Sequence, residues 1–178
     1  MRWIWIDRFT AFESGHRAVA VKNVSFTEEQ FDDYTPGYPL MPSTLILEGL
    51  AQAGGLLVGE HYDFKERVVL AKVGKAIFHE LATPGDTLTY TVVIEDIKPD
   101  GAIVRGTSLL EGRLQAEVDI VFAHLDDERF QGVDLFIPEE FSQMLRMYRL
   151  YDVAKDSEGN TVEVPEHLRA AEREVYGV

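Results

Sequence analysis

Phe31-Asp32-Asp33-Tyr34-Thr35-Pro36-Gly37-Tyr38-Pro39-Leu40-Met41-Pro42-Ser43-Thr44-Leu45-Ile46-Leu47-Glu48-Gly49-Leu50-Ala51-Gln52-Ala53-Gly54-Gly55-Leu56-Leu57-Val58 is the stretch that decides the fold. Prolines at 36, 39 and 42 forbid a helix in its first part and fix a rigid loop. The second part predicts a helix from Ser43 to about Val58. Pro42 or Ser43 would start it, by a preset φ or a capping hydroxyl, and Gly59 would stop it. The helix is apolar nearly all round, the mark of a buried helix. Its polar members Thr44, Glu48 and Gln52 recur every fourth residue and so share one stripe. A carboxylate on a buried helix requires an explanation.

Outward from this helix the pattern changes to period two. Val19 to Val24 reads as a strand, as does Lys72 to Phe78. Leu88, Tyr90, Val92 and Ile94 alternate with threonines and Val93. Asp100-Gly101 and Glu111-Gly112 then offer hairpin turns on either side of a strand from Ile103 to Leu110. Ala116, Val118, Ile120 and Phe122 alternate with Gln115, Glu117, Asp119 and Val121. An antiparallel meander that follows one buried helix predicts an α+β body, with the sheet curled around the helix.

The length of 178 residues suits one domain with an appendage. Residues 1–124 hold 18 acidic and 11 basic side chains, whereas residues 125–178 hold 13 and six in less than half the length. We therefore divide the chain into a body, 1–124, and an acidic C-terminal extension, 125–178. The extension predicts one helix from Pro138 to about Ala154, with Phe141, Leu145, Tyr148 and Tyr151 on one stripe. From Lys155 onward the polar tail predicts partial order at best.

A formal charge of −14 excludes a general nucleic-acid binder, which needs a basic face, and disfavours an anionic membrane surface. With no cysteine there is no disulfide, thiolate nucleophile or cysteine-ligated metal. The N-terminus has no signal-peptide pattern, and Leu45 to Val58 is shorter than the roughly 20 residues a membrane span needs, so a cytoplasmic protein is expected. The five histidines show no metal-site spacing, and no phosphate loop, nucleophile elbow or dinucleotide fingerprint occurs.

The run from Phe31 to Gly55 strongly resembles the hot-dog fold (3R)-hydroxyacyl-ACP dehydratases, the FabZ-like family. Ala20-Val21-Lys22-Asn23-Val24 resembles the family's first long strand. Lys75-Ala76-Ile77-Phe78 with Pro84-Gly85-Asp86-Thr87-Leu88 resembles its central strand and turn, and Ala116 to Ala123 its closing strand. The resemblance covers roughly residues 3–124. It implies a hot-dog fold and a lyase of acyl-chain synthesis in which a loop histidine and a helix carboxylate meet across a homodimer, possibly within a hexamer. The substrate would be an acyl thioester on acyl carrier protein or CoA, with no metal or cofactor.

The carboxylate position matches Glu48, and a glutamate there implies the dehydrating, non-isomerising type. A carboxyl on an apolar helix is desolvated, which suits proton donation. Gln52, one turn on, would orient it. The family's loop reads Gly-His-Phe-Pro-Gly, and here Asp33, Tyr34 and Thr35 precede Pro36-Gly37, so Tyr34 stands in the histidine's place. Gly37 would hold the thioester carbonyl through its N–H, unless Pro36-Gly37 only shapes a turn. Pro36, Met41, Pro42 and Gln52 would line the substrate path.

Other readings stay open. Glu48 could be structural, and the Tyr34 hydroxyl either addresses the thioester or merely packs. Asp33 could activate water, which would suit a thioesterase, and His61 or His79 could fold back toward the loop. A non-catalytic binder of acyl chains or acyl carrier protein is the alternative from another class. Lys72, Lys75, Arg105 and Arg113 are the candidates for a basic patch that receives an acidic carrier.

Overall fold

The computed structural model describes residues 3–33, 37–125 and 137–177. Six long strands and one short one form a single sheet: β1 (Arg8–Glu13), β2 (Arg17–Asn23), β3 (Val68–Phe78), β4 (Thr87–Lys98), β5 (Gly101–Leu110), β6 (Arg113–His124) and β7 (Ala154–Lys155). Their order is β3-β6-β5-β4-β2-β1-β7. Every neighbouring pair is antiparallel except β1 and β7, which run parallel with Phe12 opposite Ala154.

The predicted alternation is realised. Leu88, Tyr90 and Val92 of β4, Val104 of β5, and Val118 and Ile120 of β6 are fully buried. They close on α2 (Ser43–His61), whose Leu50, Ala53, Leu57 and Val58 point back into the same core. Burying a side chain such as Leu57 contributes about 1.5–3 kcal/mol. A sheet wrapped around one buried helix is the hot-dog arrangement. The β5–β6 turn falls at Glu111-Gly112 as expected, both with positive φ, whereas the β4–β5 turn is Pro99-Asp100, one residue before the expected Asp100-Gly101, because Gly101 already pairs in β5.

Two expectations about α2 are refined. Its N-cap is Pro42 with φ −58°, and no side chain caps it, so the start is set by the preset φ and not by the Ser43 hydroxyl. Gly59 does not stop it; the helix runs on to His61. The ring of Phe64 lies 2.9 Å from where a Cβ at 59 would stand, so this glycine makes room for an aromatic and the helix continues past it. Sequence periodicity also missed β1, whose Phe9 and Phe12 are buried, and a short α1 (Gln30–Asp33) before the loop.

The extension departs from expectation. One helix over 138–154 is replaced by α3 (Pro138–Met147) and α4 (Leu150–Val153), separated at Arg149, whose φ of 53° is left-handed and breaks the helical ladder. The chain then adds β7 to the sheet. Past Lys155 it returns as α5 (Glu166–Tyr176). Leu168 is buried, and Arg146 of α3 donates to both carboxylate oxygens of Glu172 on α5 at 2.7 and 2.5 Å. The extension is fastened to the body by Phe9 N donating to Tyr148 O at 2.8 Å and by Ser14 N donating to Lys155 O at 2.8 Å. The outer side of β7 is occupied by its own chain, through a Lys155–Thr161 bridge and Val162 N donating to Ala154 O. Among the described residues no helix is long and apolar enough to cross a membrane.

Candidate active site

Glu48 and Gln52 sit one turn apart on α2, both half-buried. The chain before β1 crosses the helix beside them. It can do so because residue 49 is glycine: a Cβ there would stand 2.6 Å from the Trp5 carbonyl oxygen and 2.6 Å from the Tyr90 ring. This crossing sets the orientation of the Gln52 amide. Its Oε1 accepts from Trp5 N at 2.9 Å, which leaves Nε2 to donate to Trp3 O at 3.0 Å and to Glu48 Oε1 at 3.1 Å. The Trp3 indole N–H donates to the same Glu48 oxygen at 2.9 Å. Both donors therefore address Oε1 and hold the carboxylate in one rotamer.

The carboxylate faces a cavity of about 560 Å³ that runs along α2 past Gly55 to Gly59. Phe64, Val68, Leu70 and Phe122 line it from the body, and Phe141, Met144, Tyr148 and Leu168 line it from the extension. The lining is mostly apolar; its polar members are Glu48 and Gln52 beside Trp3, together with Lys65, Glu66, Arg67 and His167. Burial, and second the nearby Glu48 charge, push the Tyr148 phenol up to about 12. It therefore stays a neutral O–H donor at ordinary pH. A fixed carboxylate beside a largely apolar cavity is equipped to move a proton on a substrate that is otherwise hydrocarbon.

The other sequence candidates are placed as follows. Gly37 is exposed with φ +80°, and Met41 and Pro42 are buried at the start of α2. None of these three lines the Glu48 cavity of the same chain. Tyr34 and Pro36 lie outside the described residues. His61 packs edge-on against Tyr62, and His79 lies 3.7 Å from Glu117, so neither enters the cavity. His167, on the first turn of α5, does line it. Trp3, Tyr148 and His167 are the site residues that pattern reading missed.

The expected basic patch is largely neutralised. Lys75 pairs with Glu117, Arg105 with Glu95 and Asp119, and Arg113 with Glu80 and Glu111. Cross-strand neighbours on this face alternate in sign, so these cations stabilise the sheet surface instead of forming a field for an anion.

The sequence of the FabA-like domain matches residues 3–125. That span contains the whole Trp3–Gln52–Glu48 arrangement and ends where β6 ends. The chain belongs to the FabA-like family. Among its relatives, the 3-hydroxyacyl-(acyl-carrier-protein) dehydratase FabZ of Clostridium acetobutylicum is 36% identical over 118 residues, covering 66% of this chain and 84% of the relative. The FabZ of Symbiobacterium thermophilum is 37% identical over 125 residues, covering 70% and 88%. Solved structures agree on the fold. An uncharacterised Pyrococcus horikoshii protein superposes with a TM-score of 0.57 at 18% identity, covering 71% of this chain and 88% of that one. A Streptococcus mutans protein bound to acetyl CoA superposes at 0.55 and 15% identity, covering 66% and 87%. The FabA-like match stops at residue 125, so α3 and α5, which wall the cavity, lie beyond the family domain.

Proposed function

We propose that this FabA-like protein is a (3R)-hydroxyacyl-thioester dehydratase, a lyase of fatty-acid or related acyl-chain synthesis. The observation that carries the reading is Glu48, held by Gln52 and Trp3 against an apolar cavity, in a domain 36% identical to a named dehydratase. Dehydration removes an α-proton and expels the β-hydroxyl as water. The thioester acidifies the α-proton, so no cofactor is needed. Glu48 is suited to the proton transfer at the hydroxyl, because its Oε1 is already engaged and Oε2 is left for the substrate. The thioester carbonyl would rest on the Gly37 N–H of a second subunit, with Tyr34 of that subunit in the place of the family's histidine.

The second subunit fits the sheet. β3 is an 11-residue edge strand that exposes Leu70 and Ile77, a surface suited to pairing with another copy. Acyl carrier protein or CoA would deliver the substrate in the cytoplasm. The charge of −14 and the paired cations would slow capture of an acidic carrier at low salt.

The test incubates the protein with (3R)-hydroxyacyl-pantetheine and follows enoyl absorbance. Turnover that falls about 10²–10⁴-fold in Glu48→Gln supports the reading. Tyr34→His should then raise the rate, by restoring an imidazole base at neutral pH. Absence of any Glu48-dependent turnover overturns it, and release of free thiol instead would show a thioesterase. Calorimetric binding of acyl chains without turnover would show the non-catalytic binder that the Asp33-Tyr34-Thr35 loop also suits.

A further inference from the structure

The cavity beside Glu48 has a wall that the family domain does not supply. Residues 3–125 contribute α2, Phe64, Val68, Leu70 and Phe122, with the charged run Lys65-Glu66-Arg67 beside them, and left alone they would leave this side of α2 open. Phe141 and Met144 of α3, Tyr148 at its end and Leu168 of α5 close it. The wall is fixed in position. Phe141 stacks edge-on against Phe64 at 5.0 Å, Tyr148 is bonded to β1 through its carbonyl, and Arg146 clamps α5 to α3 through Glu172. From Glu48 to Gly59 the cavity follows eleven residues of helix, which is about 16 Å at 1.5 Å per residue. Its volume of about 560 Å³ lies within the range of small-molecule sites, roughly 300–1,000 Å³.

We propose that the extension is a chain-length gauge: the cavity takes the hydrocarbon part of the acyl group, and α3, through side chains such as Met144, and α5 set how much of it fits. This rests on the acyl-thioester reading above. The occupant is argued from continuity, because the apolar cavity begins at the carboxylate that would act on the β-carbon. Among the described residues, this cavity gives a substrate whose thioester end reacts at Glu48 a direction in which to bury its tail out of water. Hydrocarbon against Phe141, Met144 and Leu168 gains burial with every methylene until the wall is met. Beyond that length each added carbon must displace a packed side chain, and selection by a rigid apolar pocket follows.

The experiment compares the full chain with Met144→Trp and Met144→Ala on (3R)-hydroxybutyryl-pantetheine and (3R)-hydroxydecanoyl-pantetheine, with circular dichroism to confirm that each variant folds. Tryptophan at 144 is expected to lower the decanoyl-to-butyryl ratio of kcat/KM by about tenfold or more, and alanine is expected to hold or raise it. Equal changes for both substrates, or an unchanged ratio, overturn the gauge. Failure of the wild type to turn over either substrate would defeat the dehydratase reading alone. The gauge is then read from calorimetric titration with decanoyl-pantetheine, whose affinity should fall about tenfold in Met144→Trp. If the wild type does not bind decanoyl-pantetheine, or if Met144→Trp changes the oligomeric state because a second copy fills the cavity, the gauge is overturned.

Discussion

The Trp3 indole N–H and the Glu48 carboxylate meet at 2.9 Å although 45 residues separate them in sequence. The helix alone could not fix this carboxylate, since a glutamate has three rotatable bonds and one neighbour at i+4. With Gln52 and Trp3 both on Oε1, the side chain is held before any substrate arrives. Preorganisation of this kind raises the rate of the chemical step more than it raises affinity.

Trp3→Phe removes one donor and keeps an aromatic ring. Because Trp3 is more than half exposed, the loss is smaller than that of a buried charge-assisted bond. We expect kcat to fall about three- to tenfold with KM nearly unchanged, measured by steady-state turnover. Gln52→Ala removes the bridge from the N-terminal segment to Glu48 and should cost more, about ten- to a hundredfold in kcat.

Gly49→Ala tests the crossing that places Trp3. The added methyl meets a backbone oxygen and a fully buried ring, neither of which can yield cheaply. Overpacking of this kind costs about 1–3 kcal/mol, and the reduced stability should appear as a lower denaturant midpoint. Activity should fall further than in Trp3→Phe, because both donors to Glu48 depend on the same crossing.

Glu60, near the end of α2, is buried, and burial raises its carboxyl above the ordinary glutamate value, with the Asp63 charge adding to this and a Ser14 hydroxyl bond opposing it. A carboxyl raised in the folded state contributes stability below its unfolded value, and that contribution is lost as pH rises through the folded value. Glu60→Gln removes the buried charge. Its Tm should match wild type near pH 4 and exceed it by pH 8.

Glu172 has the opposite sign. Hydrogen bonding from Arg146 lowers its carboxyl below the ordinary value. Its contribution is present above the unfolded value and disappears as pH falls through the folded one. Arg146→Met leaves the Glu172 carboxylate without its main donor and should cost about 0.5–1 kcal/mol, because the arginine is more than half exposed and solvent screens the pair. Hydrogen exchange should show α5 opening first in this variant.

Much of this architecture is legible in the residues. Three prolines followed by an apolar run locate the start of α2, and spacing by four pairs Glu48 with Gln52 before any coordinates are known. Period two in 87–94 and 116–122 gives the meander. What pattern could not show lies in contacts between distant segments. Nothing local marks Trp3 as a donor to Glu48, and Gly59 reads as a stop signal because the Phe64 ring above it is invisible to helix rules. Tyr148-Arg149-Leu150 contains no glycine or proline, so the left-handed break at Arg149 carries no signal. For α5 a signal existed: Pro165 followed by Glu166 is a proper helix start, and an acidic tail obscured it. The roles proposed for Tyr34 and Pro36 fall outside the described residues.

The short parallel strand β7 has a consequence for assembly. Along one rim of the sheet, β1 is paired by β7, and β7 in turn by Thr161 and Val162 of the same chain. Among the described residues, β3 is the long strand at a rim of the sheet with no strand beside it. If two copies pair along β3, that rim is used up, and the opposite rim offers only short, partly covered stretches for a further strand. Growth by strand addition would then end at two chains, and a larger particle would be built from contacts between side-chain surfaces.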